Sequence, residues 1–286
     1  MDLAEAMRKE FSKTKLCWLL ILLLQLLGAG VAVYAVFVAS QKSLLAVGAI
    51  SVLLPLVVFY LKSVAGVHYG LGEKVRRLLV IQDGLGLSPT PKDLLEVSAD
   101  STALPAVDPK PIGKYFDSNL PQGLKRVAHI LEESSFYTRK QAAVAAWWCG
   151  ALSILGMLGA TGLLWLAVQT PTTAGSTGAL GTGAQVAKVF STLVVFFAAG
   201  TFATLWQAYR SLAEASKSVF EKCDALRQQD QPKELDVYSA LSAYEVAVAK
   251  APPLPGLIYW LCRTRLNRAW SQHMGSDALT NPGVRP

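Results

Sequence analysis

The chain has 286 residues, of which 52% are hydrophobic and only 16% are charged, and its formal net charge is +7. Soluble domains carry about 25% charged residues, so this composition excludes an ordinary water-soluble protein. Most lysines and arginines flank apolar segments, which favours orientation in a membrane over nucleic-acid binding, and we expect no DNA partner.

The first 66 residues predict an N-terminal transmembrane hairpin. After a short basic segment, an apolar run covers residues 16–39. A cleaved signal peptide is the competing interpretation, but its apolar core is usually shorter than this run, so we favour an uncleaved span. A second run covers residues 44–61 and contains Pro55, which we expect to kink the helix.

Residues 67–140 predict a cytosolic helical insert. The second helix should continue into it and end at Gly84–Leu85–Gly86, because glycine favours helix termination. Thr90 is a suitable N-cap for a helix that begins at Pro91. Ala99–Ile112 contains prolines without periodicity and predicts a loop. The insert is too interrupted for a large core of its own, so we expect it to pack on neighbouring segments.

Residues 141–209 predict a second transmembrane hairpin. An amphipathic helix from Pro121 leads directly into Ala142–Val168, a stretch of 27 residues without a charge. At about 1.5 Å per residue this stretch exceeds the ~30 Å of a hydrocarbon layer. A fourth span is predicted over residues 189–209, after a linker that carries no charge before Lys188.

Residues 210–273 predict cytosolic C-terminal helices, and residues 274–286 a disordered tail. Apolar residues at three- and four-residue steps predict an antiparallel helical hairpin with a turn at Asp230–Gln231–Pro232. Its two seams are Leu212, Ala215, Val219, Cys223 and Leu226, then Val237, Leu241, Tyr244 and Val248. Pro252, Pro253 and Pro255 follow as a stiff elbow that we expect to couple a final helix to the membrane.

The charge distribution predicts the orientation. The two linkers between paired spans contain only Lys42 and Lys188, whereas the other side holds the remaining 25 of the 27 lysines and arginines. The positive-inside rule then places both termini and the insert in the cytoplasm. The predicted fold is therefore all-α and polytopic, with four spans in two hairpins.

The sequence carries no recognisable catalytic or metal-binding motif, and we expect neither an enzyme nor a cofactor. Four cysteines without a CxxC pair and three isolated histidines make a zinc site improbable. The acidic pair Glu132–Glu133 is predicted to lie on a solvated helix face. Ser134 and Ser135 lack a well-phased base, since only His129 is near in sequence.

Basic residues cluster on the predicted cytosolic side, with aromatic residues among them. Such groups can bind phosphates, and they can equally contact anionic lipid headgroups. The candidate ligand-binding residues are Lys125, Arg126, Arg263, Arg265 and Arg268, next to Tyr259 and Trp260.

Two stretches carry a family resemblance: YFDSNLPQGLKRVAHILEESSFYTR and YEVAVAKAPPLPGLIYWLCRTRLNRAW. They resemble bacterial four-transmembrane effectors associated with cyclic-oligonucleotide synthases, the SMODS-associated group of CBASS-like anti-phage signalling. The arrangement of two hairpins around an inner insert is similar too. The resemblance implies an effector that disrupts the membrane when a partner synthase supplies a cyclic oligonucleotide, and it assigns no ligand residues.

We therefore expect an oligomeric inner-membrane effector whose cytosolic helices sense a signal and rearrange the spans. One alternative is a non-enzymatic scaffold or sensory subunit that recruits a cytosolic partner. Another is a small channel or transporter subunit, which the absence of an acidic residue in the four predicted spans disfavours.

The predicted orientation can be tested by labelling single cysteines introduced at Thr177 and at Ser239, in a background without native cysteines. We expect an impermeant thiol reagent to label the first site on whole cells and to reach the second only after lysis. Labelling of Ser239→Cys but not Thr177→Cys on intact cells would reverse the orientation.

Overall fold

The structure is a computed structural model, and it describes residues 3–37, 41–100, 116, 118–169, 189 and 202–280. Seven helices and no strand are present in this described part of the chain, which confirms the all-α prediction. The helices are α1 (Leu3–Phe37), α2 (Gln41–Leu85), α3 (Pro91–Asp100), α4 (Leu124–Gln169), α5 (Phe202–Gln228), α6 (Glu234–Lys250) and α7 (Gly256–Thr280).

Three of the described helices are long and apolar enough to cross a membrane: Leu3–Tyr34, Ala46–Leu85 and Leu124–Gly159. They overlap the first three predicted spans, at residues 16–39, 44–61 and 142–168. The fourth predicted span lies mostly outside the described residues, and so do the charge-free linker and most of the Ala99–Ile112 loop. α2 continues as one helix through Pro55.

Apolar side chains on these long helices point outward from the protein. Leu23, Leu53, Leu56, Phe59 and Leu155 are all more than half exposed. Because large apolar side chains on a water-soluble helix are normally buried, this pattern is the one expected of surfaces that face lipid.

The chain divides into two compact units. The first unit, here called the apolar unit, consists of Leu16–Ala65 and Ala146–Gln207. Within it, a close approach occurs at Gly150, where an added Cβ would lie 3.1 Å from the Trp206 ring.

The second compact unit, here called the helical unit, consists of Met1–Lys15, Gly66–Ala145 and Ala208–Pro286. Its core takes side chains from α1 to α6 rather than from the insert alone, which confirms that the insert packs on its neighbours. The fully buried members of this core include Val75, Val97, Ile130, Leu131, Cys223 and Val237.

The start of α1 belongs to this core, although its sequence is basic and polar. Leu3, Ala4 and Met7 are buried in the core, and Phe11 packs against it. These residues lie one turn apart on a single face of the helix. The first helix is therefore anchored by its water-soluble end before it enters the apolar unit.

The predicted helix boundaries around the insert are confirmed. Gly86 adopts φ +74° just after α2 ends, a conformation that favours glycine. At the start of α3, the Asp93 amide donates to Thr90 Oγ1 at 3.2 Å and the Thr90 amide donates to Asp93 Oδ2 at 3.1 Å. This reciprocal pair is a capping box.

The predicted α5–α6 hairpin is also confirmed. Val219, Cys223 and Leu226 of α5 lie in the same buried cluster as Val237 and Tyr244 of α6. The final helix α7 begins at Gly256 and continues past Met274 to Thr280. The prediction of disorder is therefore wrong for Met274–Thr280.

The contact between the end of α2 and the start of α4 can be tested with Gly84→Ala. An added Cβ would lie 2.6 Å from Val127 Cγ2, inside the buried core, and the amide of Gly123 already donates to the Gly84 carbonyl at 2.8 Å. We expect a loss of about 1–3 kcal/mol, the usual cost of overpacking, seen as a lower melting temperature in detergent.

Gly70→Ala in the same helix is the matched control, because nothing lies within 4 Å of its added Cβ. It should stabilise the protein slightly, since alanine is the better helix former by roughly 0.5–1 kcal/mol. Equal melting temperatures for the two variants would contradict the close approach at Gly84.

Candidate functional site

A buried carboxylate, Glu132, joins three helices of the helical unit. Its Oε2 accepts a hydrogen bond from Arg227 Nε of α5 at 2.7 Å, and its Oε1 lies 2.7 Å from His273 Nε2 of α7. Arg227 Nη2 also donates to Asp224 Oδ1 at 3.2 Å. We call Glu132, Asp224, Arg227 and His273 the Glu132 network.

The prediction that Glu132 lies on a solvated face is wrong, because its side chain is 0% exposed. Glu132 follows Ala128 by one helical turn and precedes Ser135 by slightly less than a turn, and both residues are fully buried. It therefore belongs to the core-facing side of α4. The two adjacent glutamates therefore differ in burial: Glu132 is fully buried, whereas Glu133 is only partly buried.

Aromatic rings surround the Glu132 network. The ring of His273 lies 5.6 Å from Trp270 and 5.5 Å from Phe220, and Phe136 packs on both aromatic residues at 5.5 and 5.9 Å. With its side chain fully buried, Glu132 lies in a low-dielectric environment, which strengthens its charge interactions and raises the cost of breaking them.

The same network contains a set of atoms with metal-ligand chemistry. One ligand atom each from Glu132, Asp224 and His273 lies within 4.8 Å of the others. The guanidinium of Arg227 already donates to both carboxylates, so a positive charge occupies the position that a cation would neutralise. We therefore describe the arrangement as an ion-pair network.

A second buried group connects α2, α4 and α6. Arg76 donates from Nε to Glu73 at 2.8 Å, and its guanidinium lies 4.9 Å from the centre of the Tyr244 ring. The Tyr244 hydroxyl lies 2.8 Å from Thr138 Oγ1 and 3.3 Å from the Ser134 carbonyl of α4. Burial raises the pKa of Tyr244, so its hydroxyl remains a neutral hydrogen-bonding group.

An ion pair at the edge of this group links α2 to α6 again. Arg77 Nε lies 3.0 Å from Glu245 Oε1. Burial raises the pKa of Glu245, and the opposing effect of Arg77 and then Arg76 is smaller. One turn further along α6, the Val248 carbonyl accepts a hydrogen bond from Tyr69 at 2.9 Å.

A third buried carboxylate, Glu10, holds the water-soluble end of α1 against α2. Lys13 donates to its Oε1 at 2.8 Å, and His68 Nδ1 lies 2.6 Å from its Oε2. The Glu10 side chain is 0% exposed, whereas its partners Lys13 and His68 are 35% and 20% exposed, so the network lies at the edge of the packed unit. Thus α1, α2, α4 and α5, the helices that continue into the apolar unit, are each held by buried polar contacts.

Two of the predicted ligand-binding residues take part in contacts within the helical unit. Arg126 donates to Asp83 Oδ1 at 2.5 Å and to the Leu120 carbonyl at 2.6 Å, which connects α4 to the end of α2. Lys125 lies 3.9 Å from the exposed carboxylate of Asp230.

The other three predicted residues, Arg263, Arg265 and Arg268, lie exposed on α7. Among the side chains that the structure describes, no acid forms an ion pair with them. Arg265 is close enough to Lys140 of α4 for the two positive charges to repel each other. The five predicted residues are thus divided between internal contacts and an exposed basic surface on α7.

The predicted elbow packs against the helices that lead into the apolar unit. The hydroxyl of Tyr209 on α5 donates to the Pro253 carbonyl at 3.1 Å. Ala251 is buried together with Leu212 of α5 and Ala142 of α4, and Leu254 packs against this cluster. The elbow therefore contacts α4 and α5 close to the points where their apolar segments begin.

The buried thiol of Cys223 has no nucleophilic character. Burial, with a smaller effect of the Glu132 carboxylate, raises the pKa of Cys223 to about 12. Because the thiolate is the reactive form, this cysteine acts as a small apolar core residue at neutral pH.

Comparison of the chain with protein-family models, with curated proteins and with solved structures gives no match.

Sequence reasoning did not find the Glu132 and Glu10 networks. Their partners are far apart along the chain: Glu132 pairs with a residue 95 positions away and another 141 away, and Glu10 with one 58 away. The only available signal was the spacing of each glutamate relative to its apolar neighbours.

The Glu132 network can be tested with Arg227→Leu. Removing the guanidinium leaves a buried carboxylate poorly compensated, which typically costs about 3–5 kcal/mol. We expect a clear fall in melting temperature in detergent. Lys217→Leu is the control on the same helix, because its pair with Glu221 is 60% exposed on both sides and should contribute little. Similar melting temperatures for the two variants would show that the network carries no stability.

Proposed function

We propose that this protein is a bacterial inner-membrane effector that disrupts the membrane when its helical unit receives a signal. The chemical class of the proposed signal is a cyclic oligonucleotide made by a partner synthase, as the family resemblance implies. In this proposal both termini are cytoplasmic and the protein acts as a homo-oligomer without enzymatic activity.

The observation that carries the proposal is the continuity of α4. This single helix runs from Leu124 to Gln169, so it holds both Glu132 and the charge-free segment that starts at Ala142. A helix transmits displacement along its axis because its backbone hydrogen bonds resist local bending. A change in the packing around Glu132 would therefore reach the apolar segment of the same helix.

The proposed mechanism is a shift between two packings of the helical unit. In one, Arg227 of α5 and His273 of α7 hold Glu132. A ligand that binds a second packing more tightly shifts the population toward it in proportion to that difference in affinity. Because α4 and α5 both continue toward the apolar unit, the second packing changes the arrangement of the spans.

A second candidate function, a scaffold that recruits a cytosolic partner, is favoured by one feature. A groove of about 580 Å³ runs along the outer face of the α5–α6 hairpin. Its lining is dominated by small side chains, including Ala215, Ser239 and Ala243. Small side chains allow another helix to approach closely, as a recruited partner would require.

The two functions are distinguished by co-expressing the protein with its activating synthase in cells that carry a potential-sensitive dye. The effector proposal expects loss of membrane potential together with loss of viability, while nucleic acid and nucleotide pools stay intact. Growth arrest with the potential maintained would rule out membrane disruption and favour the scaffold.

The matched variant for this experiment replaces Pro252, Pro253 and Pro255 by alanine. Removing the fixed proline φ angles loosens the elbow beside Tyr209, so we expect normal insertion but weaker depolarisation. Pro121→Ala, at an exposed position before α4, is the control and should depolarise as the parent does. Full depolarisation by the elbow variant would remove the elbow from the mechanism.

A further inference from the structure

The first half of α7 exposes a contiguous apolar face. Leu257, Trp260 and Leu261 are 67%, 72% and 55% exposed. At about 100° per residue these three positions fall within roughly 100° of arc. Ile258, on another face of the same helix, is buried. A tryptophan and two leucines on one outward face form a surface that water solvates poorly.

This apolar face starts beside residues that mark the beginning of apolar segments. A Cβ on Gly256 would lie 4.0 Å from the side chain of Lys15, which directly precedes the first apolar run. The residues before Gly256 contact Tyr209 and pack with Ala142, at the borders of two other predicted spans. The start of α7 and the elbow before it thus lie beside residues at the borders of three predicted spans.

The middle of α7 is basic. No aspartate or glutamate occurs between Gly256 and Gly275, and the three arginines at 263, 265 and 268 are exposed. Lys140 of α4 lies close to Arg265, which adds positive charge next to the same surface. The charge complement of such a surface is a layer of anionic phosphates.

We propose that α7 is an interfacial helix that binds the surface of an anionic lipid bilayer. Leu257, Trp260 and Leu261 insert at the boundary between headgroups and acyl chains, where tryptophan is favoured. The three arginines hold lipid phosphates, and their flexible stems let the guanidinium groups reach headgroup level. This inference does not depend on the proposed effector function.

The positions of the arginines favour a lipid surface over one soluble phosphate ligand. On a helix, positions 263, 265 and 268 spread over roughly 200° of arc. Side chains that diverge in this way do not converge on a single anion, whereas separate headgroups in a lipid layer can each meet one of them. The exposed apolar residues also have no role in binding a free phosphate.

The test uses the full-length protein reconstituted in vesicles, with an environment-sensitive fluorophore on Trp260→Cys. Cys17, Cys149 and Cys262 are replaced by alanine, and Cys223 is kept because it is fully buried and unreactive. Leu235→Cys is the matched control, since Leu235 is 80% exposed but lies at the start of α6. About 24 Å of helix separates Leu235 from the elbow.

We expect a quencher attached to lipid acyl chains to quench the label at 260 strongly and the label at 235 weakly, in vesicles of phosphatidylcholine and phosphatidylglycerol. Aqueous iodide should show the opposite order. In vesicles of phosphatidylcholine alone, the lipid quenching at 260 should fall by several fold, because each basic residue near an anionic leaflet changes binding by roughly fivefold.

Three results would overturn the proposal. Iodide quenching at 260 as strong as at 235 would show a helix in water. Protection of position 260 from both quenchers would indicate a protein contact, such as a second copy of the chain. An Arg263→Gln, Arg265→Gln, Arg268→Gln variant that keeps the parent's dependence on phosphatidylglycerol would show that these arginines do not bind headgroups.

Discussion

A segment that crosses hydrocarbon must satisfy every backbone hydrogen bond internally, and the long apolar helices α1, α2 and α4 can meet this constraint. α1, α2 and α4 are 35, 45 and 46 residues long, whereas about 20 residues are enough to cross a bilayer. The additional turns extend into the helical unit and build its core. Helices long enough to cross a bilayer thus connect the core directly to the apolar segments.

The charges buried in the helical unit act on these same helices. Glu132 and Glu10 are completely buried, and each meets one histidine and one basic side chain, Arg227 and Lys13 respectively. Pairs of this kind contribute little net stability, because desolvation offsets their attraction, but breaking one is costly. Their geometry is satisfied only when the helices keep one register. We infer that these networks define the relative positions of α1, α2, α4, α5 and α7 more than they stabilise the fold.

Local sequence patterns were sufficient to predict most of the helices and several of their ends. The Thr90 cap, the glycine stop after α2 and the α5–α6 seam all depend on residues within about one or two turns of each other. The interior of the helical unit was not predictable in this way. A glutamate on a helix is assigned to solvent unless its partner is known, and Arg227 lies far from Glu132 in sequence. The basic residues before the first span likewise concealed the buried face of Leu3 and Met7.

If α7 lies on the bilayer surface as proposed, it brings both constraints together. Near its start it follows an elbow packed on Ala142 and Leu212, and at its other end His273 contacts Glu132. A helix fixed at both ends resists tilting, so a force applied to its exposed face acts on the elbow and on the Glu132 network together. Lipid composition would then bias the same packing that the proposed signal would bias. Thermodynamic linkage makes this effect reciprocal. A ligand that changes the contacts of Glu132 with Arg227 and His273 would also change the affinity of α7 for the bilayer.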